Sequence, residues 1–162
     1  MGDSYVIDKD KGFARIMKTE LEAEGSVSVG WFSGAGETDE GTPIASIAVF
    51  NEFGTRRIPE RPMVRRTLEE HGQRYQAQVA HMKRAIHAGV LTWEALLYRL
   101  GLMVRNDLVM MITSAKEWAK PNAPETIKQK GSSSPLIDTG AMRNSVWFEI
   151  TTKSGKRKMY RS

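Results

Sequence analysis

An α+β fold is what this sequence predicts: a small antiparallel sheet packed by two long antiparallel helices and shorter helices. Three observations carry the prediction. Two runs in the middle of the chain, one from Pro62 to near Gly89 and one from Thr92 to Ile112, repeat apolar residues at helical spacing. Two others, SVSVGWF near the start and SVWFEITT near the end, alternate with the two-residue period of a half-buried strand. No internal repeat or linker interrupts them, so 162 residues make one domain that can bury most of a core. That domain is expected over residues 1–152, with 153–162 as a basic tail or an edge strand.

In chain order, residues 8–24 predict a first helix, with Phe13, Ile16, Met17 and Leu21 on one face and Gly25 to end it. Residues 26–32 predict a strand with Val27, Val29 and Trp31 on one side. SGAGETDEGT, glycine-rich and acidic, predicts a mobile loop. Thr42 as N-cap, Pro43 in the first turn and Gly54 just past the end bracket a short helix, with Ile44, Ile47, Ala48 and Asn51 sharing a face.

Pro62 can open the first long helix, whose stripe is Val64, Leu68, Tyr75, Val79, Met82 and Ile86. Thr92 caps the second, which carries a broad apolar face from Leu96 to Ile112. Gly101 inside it costs about 1 kcal/mol against alanine, which points to a close approach there. The short HAGVL connection makes the two helices antiparallel neighbours.

KEWAKPNAPETIKQKGSSSP predicts mostly loop, with one turn around Thr126–Gln129. LIDTGAMRNS predicts a turn capped by Asp138 or Thr139, with Gly140 and Arg143 inside it. In the strand after it, Val146, Phe148 and Ile150 face one way, Trp147, Glu149 and Thr151 the other. Ser154-Gly155 can turn the chain back, so KRKMYRS forms a third strand or a free tail.

Composition excludes several function classes. The chain has no cysteine, hence no disulfide, thiolate nucleophile or thiolate metal site. MGDSYVIDKDKGF lacks the apolar stretch of a secretory signal, and no apolar run approaches the roughly 18 residues of a membrane span. A soluble protein of a reducing compartment, with no membrane partner, is expected. The net charge of +5 sits at one end: no acidic residue follows Glu149, whereas Lys153, Lys156, Arg157, Lys158 and Arg161 do. Without those five, the 24 basic residues fall to 19, the number of acidic ones. The five are therefore candidates for contact with DNA or an acidic partner.

Catalytic chemistry finds no constellation. His71, His81 and His87 share one predicted helix, but His81 lies about 280° and His87 about 160° around from His71, so they do not converge on a metal. GAGETDEG lacks the lysine of a phosphate loop, and Glu37-Asp39-Glu40 lacks calcium-loop spacing. The DTG of LIDTGAM matches the aspartic-protease triplet, but without its flanking β pattern it reads as a helix cap. No catalytic, cofactor-binding or metal residue is expected, and no enzyme.

NEFGTRRIPERPMVRR, residues 51–66, is the unusual stretch. It packs Gly54, two prolines and five arginines into one connection between helices. Nucleic-acid binding is one reading, since arginine pairs phosphate bidentately, but no aromatic interleaving or recognised binding motif accompanies it. A rigid, arginine-rich elbow suits a protein interface, where arginine is enriched and little ordering entropy is lost. The interface candidates are Asn51, Glu52, Phe53, Gly54, Arg56, Arg57, Pro59, Arg61, Pro62 and Arg65.

Here a resemblance enters. IASIAVFNEFGTRRIPERPMVRRTLEE resembles the tail-component, or virion-morphogenesis, family of long-tailed bacteriophages, whose members carry an alanine-rich helix ending in N-E-F-G-T and then I-P-x-R-P-F-[LM]-R. Ile58, Pro59, Arg61, Pro62 and Arg65 match, while Met63 and Val64 replace the commoner aromatic and aliphatic pair. PLIDTGAMRNS is similar to the family's second motif, preceded by Trp118, Pro121-Asn122, Thr126 and Lys130-Gly131 in family order. The resemblance implies a structural virion protein: a neck or tail-completion subunit, in a homo-oligomeric ring joining head connector to tail tube. It implies a hexamer, with a dodecamer as the alternative. Its partners would be the head connector or adaptor, the tail terminator or tail tube protein, and double-stranded DNA passing through the lumen without sequence preference. It would reside in the virion, and in the host cytoplasm during assembly. The alternative is a double-stranded DNA-binding module using the arginine elbow and the basic C-terminus.

Overall fold

A computed structural model describes residues 25–131 and 133–161. The helix expected over residues 8–24 lies outside them. The described chain is α+β, as the two periodicities required: a three-stranded antiparallel sheet packed against helices. In order come β1 (Gly25–Gly30), α1 (Ile44–Phe53), α2 (Met63–His87), α3 (Trp93–Thr113), α4 (Ala115–Trp118), α5 (Pro124–Lys130), α6 (Ala141–Asn144), β2 (Trp147–Thr152) and β3 (Arg157–Tyr160).

β2 is the central strand. Val27 pairs with Ile150 and Val29 with Phe148, so the apolar faces of β1 and β2 coincide. The basic C-terminal end is an edge strand, with Tyr160 opposite Phe148 and Lys158 opposite Ile150. Aromatic pairing holds it there. Tyr160 stacks on Phe148 at 4.8 Å between centroids, and Tyr98 from α3 meets both rings edge-on at 5.0 and 5.5 Å.

Helix α3 lies across this sheet, and Gly101 is the point of closest approach. A Cβ built there would stand 2.4 Å from Phe148 Cδ2 and 2.8 Å from Val27 Cγ2. The glycine that weakens the helix locally lets α3 settle onto the sheet. Thr92 caps α3 as expected, its hydroxyl accepting from Ala95 N at 3.2 Å.

Helices α2 and α3 are antiparallel neighbours: Ile86 packs near Leu96 at one end, while Met63 joins Leu108 and Ile112 at the other. Midway, the Tyr75 hydroxyl donates to Asp107 at 2.7 Å, and Arg74 pairs with the same carboxylate. Burial, and then the neighbouring carboxylate, raise the Tyr75 phenol well above its ordinary pKa.

Several local expectations are corrected. Thr42 does not cap α1. The Pro43 carbonyl accepts from Ser46 and Ile47, while Thr42 N donates to the Thr38 hydroxyl. The acidic loop expected to be mobile is a closed turn, with a Glu37–Pro43 bridge and Ile44 N bonded to Gly36 O. The 115–130 stretch contains α4 and α5 rather than a single turn. At the start of α2 the buried positions are Met63 and Thr67, while Leu68 is 52% exposed.

Two helix glycines give a matched test. Gly101→Ala should lower stability by about 1 kcal/mol net, because overpacking against Phe148 outweighs the gain in helix propensity. Gly72→Ala in α2 meets nothing within 4 Å and should raise stability by about 1 kcal/mol. Urea midpoints moving in the same direction for both would refute the packing assigned to Gly101.

Candidate functional site

The connection from α1 to α2 is built by its own backbone. Thr55 N bonds Ile58 O at 2.8 Å, and the Thr55 hydroxyl accepts from Arg57 N and Ile58 N, closing a tight turn. Gly54 enters it at φ 71°, ψ 170°, a region essentially confined to glycine. This is not the left-handed helical cap that the sequence suggested. Contact adds to conformation, because a Cβ here would lie 3.0 Å from Glu60 N.

Glu52 turns back under the turn and caps the next helix. Its two carboxylate oxygens accept from Val64 N at 2.8 Å and Arg65 N at 3.0 Å, the unsatisfied donors at the start of α2. Its negative charge also suits that positive helix end. Pro62 leaves no side chain able to cap α2 from within, so the last turn of α1 supplies the acceptor. Arg65 closes the loop, donating to Glu52 O at 3.1 Å and pairing with Glu60. The hydrogen bond that Arg65 donates to Glu60, and then the Glu52 carboxylate, raise the Arg65 pKa.

Arg61 is the buried centre of the elbow, at 4% exposure. Its Nε donates to Lys120 O at 2.8 Å, Nη1 to Asn51 Oδ1 at 3.0 Å, and Nη2 to Asn122 Oδ1 at 2.9 Å and Pro121 O at 3.3 Å. Asn51 is anchored to Ile47 O at 2.9 Å, and Asn122 to Ser134 O at 3.2 Å. One guanidinium thus ties α1 and the elbow to the 120–122 segment, which Asn122 in turn anchors to Ser134, just before the second motif. Burial lowers its pKa, yet a guanidinium remains charged. Arg66 adds a further tie, lying over the Trp118 ring at 5.2 Å and pairing with Glu70 at 2.7 Å.

The interface candidates therefore divide. Asn51, Glu52 and Arg61 face inward and hold the frame. Gly54 and Pro62 shape it and are half-buried, and Arg65 braces it from outside. Phe53, Arg56, Arg57 and Pro59 are exposed. With them the structure brings Val49 at 52% and Phe50 at 39% exposure, beside Phe53 at 67%. Sequence reasoning missed Val49 and Phe50. The available signal was that α1 is apolar on the side opposite Ile44 and Ala48, where a surface helix is ordinarily polar.

The second motif also departs from expectation. Neither Asp138 nor Thr139 is the N-cap of α6. Gly140 is, at φ 84°, with no side-chain cap bond. Thr139 still contributes, its hydroxyl accepting from Ala141 N at 3.3 Å, while Asp138 points to solvent. Arg143 bonds Asn144 Oδ1 at 3.2 Å. The reason is room: Gly140 is buried, and the positive-φ turn offers its own backbone at the helix start.

The basic end does not act as one patch. Lys158 pairs with Glu94, and Arg161 lies 4.1 Å over the Trp147 ring at the far end of the sheet. Lys153, Lys156 and Arg157 surround the β2–β3 turn. No group of three acidic or histidine side chains that could hold a metal occurs among the described residues.

No family model matches the chain, and no curated protein or solved structure matches it.

Arg61→Lys tests the frame. One ammonium cannot span acceptors fixed around a planar fork, so about 2–4 kcal/mol of stability should be lost. Denaturant unfolding measures it, and an unchanged midpoint would show that the guanidinium geometry is dispensable.

Proposed function

We propose that this chain is a structural virion subunit of a tailed bacteriophage, a neck or tail-completion protein. In this reading it forms a ring between head connector and tail tube, around the DNA channel. One observation carries the reading. Arg61 locks the first family-like motif to the Pro121-Asn122 pair that precedes the second, and Glu52 ties the end of α1 to the start of α2, giving a fixed frame whose outer surface is Val49, Phe50, Phe53, Arg56 and Arg57. Exposed aromatics beside arginines on a pre-ordered support make a hot-spot composition for a protein joint. Neighbouring copies, the head connector and the tail tube are the proposed partners.

The DNA-binding alternative loses most of its elbow arginines to internal contacts. Of the five elbow arginines, Arg61 is buried, Arg65 is engaged by Glu52 and Glu60, and Arg66 by Glu70 and Trp118. From the elbow Arg56 and Arg57 remain, and from the basic C-terminus, the other half of this alternative, the exposed Lys153, Lys156 and Arg157 of the β2–β3 turn. Passage of DNA through a ring needs only such weak, sequence-blind contact.

Phe53→Asp with Arg57→Glu should cost about 1 kcal/mol in unfolding and leave the fold intact, since both side chains are exposed and Phe53 gives up only the Arg65 guanidinium over its ring at the end of α1. In extracts that join heads to tails, particles made with this variant should fail to join. Full joining by the folded variant would remove the elbow surface from the assembly reading.

A further inference from the structure

Two surfaces of opposite charge stand at opposite ends of the molecule. The first is a groove of about 500 Å³ between the 37–42 turn, α1 and the 135–142 segment, with Glu37, Asp39, Glu40 and Asp138 on its rim. Apolar groups, among them Ile47 and Leu136, line its floor. Glu37, Asp39, Glu40 and Asp138 are all exposed, and none has an ion pair among the described residues. They do not converge on a metal.

The second surface is the turn between β2 and β3. Thr152 N bonds Lys156 O at 2.9 Å and Gly155 N bonds Thr152 O at 2.8 Å, so the turn is closed and projects Lys153, Lys156 and Arg157. The Arg157 side chain is 73% exposed, with Glu149 at 3.8 Å as a loose partner.

The two surfaces cannot meet within one chain. Lys158 pairs with Glu94, which fixes the turn beside the first residues of α3. Ile44 and Leu136, under the groove, cluster with Met111 and Ile112 in the last turn of α3. The intervening 21-residue helix spans about 30 Å, several Debye lengths at physiological salt. Across that distance the groove and the turn of one chain do not neutralise each other, while a second copy presents the complementary charge. The apolar floor also suits the methylene stems of lysine and arginine.

We infer that the acidic groove of one copy receives the basic β2–β3 turn of the next. This head-to-tail contact between subunits rests on the ring reading above. Because the two surfaces differ, the contact is heterologous: it propagates, and closes into a ring if the rotation between neighbours allows. Charges at this contact also fix the polarity of assembly, since reversing a subunit would set like charge against like.

Sedimentation velocity on the full chain tests the pairing. Wild type should self-associate at about 50 mM salt and weaken at least about tenfold at about 500 mM. Lys156→Glu with Arg157→Glu, and separately Glu37→Lys with Asp39→Lys and Glu40→Lys, should each weaken association about a hundredfold. Circular dichroism should show both folded. Mixed with each other, the two variants should co-assemble in strict alternation, because the normal groove of one takes the normal turn of the other and the two reversed surfaces are again complementary. A protein carrying all five changes should regain assembly to within about tenfold of wild type. Rings that persist unchanged in both variants would overturn the pairing and leave the ring reading intact. Open, salt-sensitive chains that never close would support the pairing and sink the ring. A wild type that stays monomeric at low salt would refute both.

Discussion

A guanidinium held in the protein interior without a carboxylate is an expensive object, and the elbow is arranged around it. Arg61 is surrounded by four neutral oxygens from Asn51, Lys120, Pro121 and Asn122. Each must be in place, because an unmet donor on a buried cation costs more than an ordinary lost bond. That requirement fixes the path of the chain on both sides. α1 must end where Asn51 can reach, the elbow must turn within the reach of Gly54, and the 120–122 backbone must offer two carbonyls. Glu52, the next residue, then lies at the start of α2 and sets that helix's direction. A short polar network so constrained behaves as a rigid joint, and side chains mounted on it meet a partner already ordered.

The remainder of the fold hangs from α3. Its last turns join the core that holds α1 and Met142, its middle touches the sheet through Gly101, and its first turn meets the hairpin through Glu94. One helix therefore sets the separation of the elbow and acidic groove from the basic turn. Charge at the two ends becomes a directional property of the subunit, and the net charge of +5 describes it poorly.

The basic end shows how pairing redistributes charge. As a string, five cations after Glu149 form a patch. As an edge strand, alternate residues face opposite sides and successive residues move along the sheet, so Lys158 and Arg161 find Glu94 and Trp147 far apart. Lys153, Lys156 and Arg157 are exposed around the turn instead. Lysine and arginine on an edge strand also guard it against pairing with foreign strands.

Local pattern in the sequence determined the α+β class, the antiparallel helix pair, the Thr92 cap and the tight site at Gly101. Each follows from side-chain spacing or from one residue's backbone preference, which are local properties. The sequence also marked residues 51–66 as a rigid, arginine-rich joint, because glycine and proline restrict the backbone wherever they stand. It did not reveal which arginine is buried. Five arginines look alike in a string, and only the approach of the 120–122 carbonyls, about sixty residues away, selects Arg61. The same holds for Glu52 as the cap of another helix, for Gly140 displacing Asp138 and Thr139, and for Val49 and Phe50 left on the outside. Hydrogen-bond partners and solvent exposure are set by what packs alongside, and that is decided only when distant segments meet.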